Sequence, residues 1–164
     1  MRADVKKTTG PSTTLRTGCI VDVVTHERLE FQYNPDEISD EKSTDFAAIK
    51  VPGMSHPRYQ YVAGEARRIT FKVSFFKGPV KEKVAWLQSL LYPEHAKTML
   101  KNAPHKVLFF LGDLYPGVLC VVRQVRSRYF HMFDRDSLLP QHAEVELTLE
   151  EIVAKSVDYK QVRR

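Results

Sequence analysis

The chain has 164 residues, 43% of them hydrophobic and 27% charged, with two cysteines and a formal net charge of +5. That length suits one domain with a real core, and that composition is ordinary for a globular protein. It excludes a disulfide framework and a helical membrane span, since no apolar run approaches roughly 18 residues.

Residues 1–17 are polar, carry the turn signal Gly10-Pro11-Ser12, and lack the apolar core of a signal peptide. They read as a flexible arm on a chain made and folded in a cytoplasm. A single domain is expected over 18–155, and a basic, frayed tail over 156–164.

Two strands come first. GCIVDVV (18–24) is apolar, and HERLEFQYN alternates Leu29, Phe31 and Tyr33 against Arg28, Glu30 and Gln32. Joined through residues 25–27, they suit a hairpin. Asn34-Pro35 then breaks the pattern, and residues 34–64 keep no sustained period. A loop beyond about 12–15 residues has a job or hides a strand. Residues 43–51 are the candidate hidden strand, with Phe46 and Ile49 expected to be partly buried.

RITFKVSFF (68–76) places Ile69, Phe71, Val73 and Phe75 on one face. Gly78-Pro79 ends it and opens a helix with Val80, Val84, Leu87 and Leu91 at helical spacing, widened by Trp86 and Leu90. The helix should stop before Pro93, and a short second helix is expected over 95–101. KVLFFL (106–111) is an apolar strand. The run from Val118 alternates through Cys120 and Val122, and a bulge near Arg123 would return Val125 to the core face. The last strand alternates Ala143, Val145, Leu147 and Leu149 against Glu144, Glu146, Thr148 and Glu150.

The expected core is Leu29, Phe31, Ile69, Phe71, Val73, Val84, Leu87, Leu108, Val145 and Leu147. The fold expected is a β-dominated α+β domain, a small β-barrel or sandwich with one main flanking helix and a long loop.

Chemistry is sparse. The six histidines form no HExxH pattern, and no GxSxG, Walker or GxGxxG motif occurs. No catalytic residue, metal or cofactor is expected, and Cys19 and Cys120 read as buried free thiols. Arg123, Arg126 and Arg128 cluster on one strand. They suit a partner's acidic face, or, on the alternative reading, a small basic nucleic-acid-binding domain. A hydrolase whose site is assembled from distant residues is a third reading.

The ordered motifs decide the preference. FQYNP, a polar loop, the turn VAGEARR and the strand ITFKVSFF resemble the tube-initiator and baseplate-adaptor proteins of phage tails and contractile injection systems. In that family a phenylalanine-rich strand runs into Asn-Pro, and a long loop leads to a strand rich in Phe. The second half agrees. Pro104 with Val107-Leu108-Phe109 and Gly112 resembles the family's "P-x-x-V-L-F…G", and Gly117 opens a similar strand. Tyr129, Phe133, Asp136, Pro140 and Ala143 resemble its closing segment. The resemblance spans residues 20–152. It departs at Lys77, where the family has Asp, at Leu111, where it has Trp, and at Ser137 and His142, where it has Gly and Arg.

The resemblance implies a non-enzymatic subunit that forms a hexameric ring between the hub or spike and the tail tube and initiates the tube. Its partners would be copies of itself and neighbouring tail-tube, hub and baseplate proteins, in a virion tail or injection particle, without a membrane. DNA or cargo would only pass through the lumen. Asn34, Pro35, Phe46, Ile49, Met54 and Tyr59, with Arg123, Arg126 and Arg128, are the expected subunit contacts. Many members carry a C-terminal LysM module; the chain ends soon after the last strand, so peptidoglycan binding is not expected.

Overall fold

Strict alternation makes the centre of the fold. In the computed structural model, which describes residues 17–130 and 133–163, the strand 68–76 buries Ile69, Phe71, Val73 and Phe75. The strand 142–151 likewise buries Ala143, Val145, Leu147 and Leu149. The expected arm lies outside the described residues except for Thr17, as do His131, Met132 and Arg164.

In chain order the elements are β1 (Cys19–Asp22), β2 (Arg28–Glu30), β3 (Ile38–Glu41), β4 (Thr44–Ile49), β5 (Arg58–Gly64), β6 (Arg68–Phe76) and α1 (Val80–Ser89). β7 (Glu94–Ala96), β8 (Met99–Asn102), β9 (Lys106–Leu111), β10 (Tyr115–Tyr129), β11 (His142–Glu151) and α2 (Tyr159–Val162) follow. Seven strands form one antiparallel sheet in the order β2-β1-β9-β10-β11-β6-β3. This is the expected β-dominated α+β class, but the sheet stays open and does not close into a barrel.

The two edges of that sheet, β2 and β3, are neighbours in sequence. The sheet must therefore curl until seven residues, 31–37, can cross from one edge to the other. Long β10 makes the curl. Its first half pairs with β9 and its second half with β11, with register shifts at Gly117 and Arg123. Gly117 has φ +100°, and a Cβ there would meet the Phe110 ring at 2.7 Å, so glycine alone fits the first bulge. Inside the curl Phe71 stacks on Phe109 at 4.8 Å, and Phe31 lies 5.7 Å from Phe71. Each fully buried side chain of this size contributes about 1.5–3 kcal/mol. The helix α1 packs Val80, Val84 and Leu87 onto the same core. Cys19 and Cys120 are buried free thiols.

Several expectations need correction. The second strand stops at Glu30, before Tyr33. The Phe31 N–H donates to Gly18 O at 2.9 Å, and the Gln32 side chain bonds both Phe76 N (2.9 Å) and Phe76 O (2.6 Å). A side-chain amide thus replaces ladder bonds where the crossing segment meets β6. The supposed loop 34–64 holds three strands. Leu108 is half-buried; Val107 and Phe109 face the core, a parity that an unbroken apolar run cannot reveal. The expected helix at 95–101 is the β7–β8 hairpin, closed by Glu94 accepting from Lys101 and Asn102. Met99 and Leu100 stay exposed there, so a helix would have had no face to bury, and so short a helix does not stand alone. The tail forms one helical turn, capped by Asp158 and Gln161.

Candidate docking site

The hairpin β4–β5 leaves the sheet between β3 and β6, and every residue of both strands is exposed. Its register sets Phe46 opposite Tyr61 and Ala48 opposite Tyr59. Phe46, Tyr59 and Tyr61 therefore share one face, with the Phe46 and Tyr61 rings edge-on at 5.9 Å. Ile49 lies on the other face, opposite Arg58. Phe46 and Ile49 are 53% and 46% exposed, which corrects the expectation that they are partly buried. Met54, in the tip turn, and Tyr59 are exposed as well. A lone two-stranded hairpin is marginal in water. Exposed apolar patches are common at interaction sites, which makes this face the candidate docking surface.

The arm is held at its root. Asp40 is the last residue but one of β3, which enters it, and Arg67 immediately precedes β6, which leaves it. Arg67 Nε donates to Asp40 Oδ1 at 2.8 Å, and a second guanidinium nitrogen pairs with Oδ2. Tyr115, 2% exposed, donates its hydroxyl to the same Oδ2 at 2.9 Å. The Arg67 guanidinium also lies over the Tyr115 ring and 3.7 Å from Glu151. One step outward, Glu65 N donates to Ser43 O, and Lys42 and Ser43 side chains bond Glu65. The Arg67 hydrogen bonds hold the Asp40 carboxyl below the usual carboxylate range. Burial first, then Asp40, pushes the Tyr115 phenol up to about 12.

Asn34 and Pro35 sit elsewhere, on the crossing segment. Asn34 Oδ1 accepts from Gly18 N at 2.8 Å, which ties that segment to the start of β1. The bulge at Arg123 brings Arg123, Arg126 and Arg128 to one outer face of the sheet. There the arginines meet this chain's own β11: Arg123 pairs with Glu150 at 3.0 Å, Arg126 approaches Glu146 at 3.9 Å, and Arg128 stands opposite Glu144. β6 continues the alternation, with Lys72 3.6 Å from Glu144. The face is a ladder of basic and acidic strands. Among the described residues no group of His, Cys, Asp or Glu is arranged to hold a metal, and no helix is long and apolar enough to cross a membrane.

The sequence showed Arg67 only as part of a basic spot with Arg68, and gave no sign of the bonds made by Asp40, Arg67, Tyr115 and Gln32. Gln32, Asp40 and Arg67 lie in or beside the long irregular stretch, but Tyr115 is distant in sequence and carried no signal of joining them.

No protein-family model matches the sequence, and no curated protein matches it. Solved structures do. The Dit protein (gp 19.1) of phage SPP1, described as a paradigm of the hub adsorption apparatus in phages infecting Gram-positive bacteria, matches with TM-score 0.51 and 9% identity. The match covers 83% of this chain and 50% of that one, so the chain spans half the length of the Dit protein. The sheath/tube terminator of the extracellular contractile injection system PVC matches with TM-score 0.41 and 14% identity over 85% of this chain and 91% of that one. The Dit likeness establishes a shared fold.

Proposed function

We propose that the chain is a structural, non-enzymatic subunit of a phage tail or contractile injection system baseplate. It forms a hexameric ring that joins the hub or spike to the tail tube and initiates tube assembly. The observation that carries this is the β4–β5 arm, uncovered on both faces and clamped at its root. The fold shared with a phage hub protein and the ordered motifs from Phe31 to Ala143 support it. Its work is docking, with Phe46, Ile49, Met54 and Tyr59 meeting neighbouring subunits. It takes no cofactor and resides in a virion tail or injection particle after synthesis in the bacterial cytoplasm.

The test replaces residues 46–62 with a short Gly-Ser turn. The expected variant unfolds cooperatively like wild type but yields no rings by light scattering and negative-stain imaging, alone or with hub and tube partners. A variant that assembles normally removes the arm from the interface. Wild-type protein that joins no tail partner and forms no ring refutes the function.

A further inference from the structure

Taking the proposed ring as its premise, we infer that the arm of one copy seats in an acidic groove on the next. The groove, of about 830 Å³, lies on the outer face of β6 and β11 beneath the crossing segment. Tyr33, Asp36, Glu37, Glu144 and Glu146 line it, with Lys72 as its one basic residue. Glu144 and Glu146 are offset by Lys72 and Arg126. Asp36 and Glu37 form no ion pair among the described residues, so the groove keeps a negative rim.

The arm carries the opposite charge. Between Phe46 and Val62 its basic residues are Lys50, His56 and Arg58 and no carboxylate occurs; Asp45 lies at the arm's root. Neither Lys50 nor Arg58 pairs with a carboxylate among the described residues. Unpaired cations on a projecting apolar arm and unpaired carboxylates around an open groove complement each other. Phe46, Tyr59 and Tyr61 on one face of the arm would meet the exposed Tyr33 ring, and Arg58 on the other face would meet the opposite wall.

The contact runs between copies. The arm leaves the sheet where Glu41 faces Arg68, whereas the groove runs along β6 from Thr70 to Ser74 and no arm residue lines it. The arm's own exposure shows that it does not fold back into that groove. A contact between two different patches is head-to-tail, the kind that closes into a ring when the rotation between copies closes.

Two measurements test the socket. Equal amounts of 14N- and 15N-labelled protein are treated with a zero-length carbodiimide across a concentration series. Mixed-isotope peptides linking Lys50 to Asp36 or Glu37 are expected; rings without such links overturn the socket and leave the ring standing. Separately, Lys50→Glu/Arg58→Glu and Asp36→Lys/Glu37→Lys should each weaken association by about tenfold, and the four changes combined in one chain should restore it. Groove reversal that leaves association intact while arm replacement abolishes it overturns the socket alone. Protein that neither associates nor cross-links at any concentration overturns socket and ring together.

Discussion

Replacing Tyr115 with phenylalanine keeps the buried ring and removes one hydroxyl. The Asp40 carboxylate loses that donor and keeps Arg67. A hydrogen bond to a charged acceptor contributes about 1.5–3 kcal/mol, and the remaining Arg67 contact places the expected loss near the low end. For a chain of this size each kcal/mol is about 2–4 °C of melting temperature. The pH dependence is the sharper test. The phenol stands at about 12 in the folded protein against an ordinary 10.0. As pH rises past 10.0 the unfolded chain gives up this proton first, so stability is full below that value and is lost as pH climbs toward the folded one. By about pH 11 the wild type should have lost on the order of 1 kcal/mol through Tyr115, and Tyr115→Phe should have lost none of it. The gap between the two proteins, open at neutral pH, should therefore nearly close. Urea unfolding at steps from pH 7 to about 11 reads it directly. Cys120, pushed up to about 12 by burial, titrates in both proteins and cancels in the difference. Parallel stability curves would refute the clamp as drawn.

Gly117→Ala should destabilise the fold, because it strains a positive φ and drives a Cβ into Phe110; chemical denaturation checks it, with wild-type stability as the refuting outcome. Phe71→Ala, which removes the ring stacked on Phe109, should cost about 3–5 kcal/mol in the same assay. Acid should weaken the protein through Asp22, 2% exposed, whose carboxyl accepts from His105 Nδ1 at 2.7 Å and from the Val24 and Thr25 N–H groups. Burial raises this carboxyl, but those bonds outweigh it and set it below its ordinary 3.8. Its stabilisation is present above that value and fades as pH falls through the folded one, so Asp22→Asn should flatten the acid limb of a melting-temperature profile.

The parts of the fold that alternate were legible. Strand β11, strand β6 and the bulge at Arg123 follow from a period of two and its single interruption. Strand β9 was legible as a strand but not in its facing, because Val107 to Leu111 are all apolar and either parity reads alike. The arm was visible as a strand at 43–51. Its exposure was not, since Phe46, Tyr59 and Tyr61 are residues that a core would also use. The clamp was hidden for another reason. Asp40, Arg67 and Tyr115 are far apart in sequence, and only the curling of the sheet brings edge strand β3 to the start of β10.

That curl also bears on the arginine stripe, where sequence left two partners open. A surface that tracks a phosphate backbone needs cations without local counter-charges, flanked by exposed aromatics. Here the bulge at Arg123 puts the arginines on the face where β11 carries Glu144, Glu146 and Glu150. Cross-strand pairs of this exposed kind are worth only about 0.2–1 kcal/mol each, but they cancel the field that would draw an anion. Phe71, Phe75 and Phe109 point the other way, into the core. Among the described residues, Lys50 and Arg58 of the arm and the Asp36–Glu37 rim form no ion pair within the chain. Those two surfaces are chemically opposite and the arm does not reach the groove of its own chain, so a second copy is the partner we infer for both.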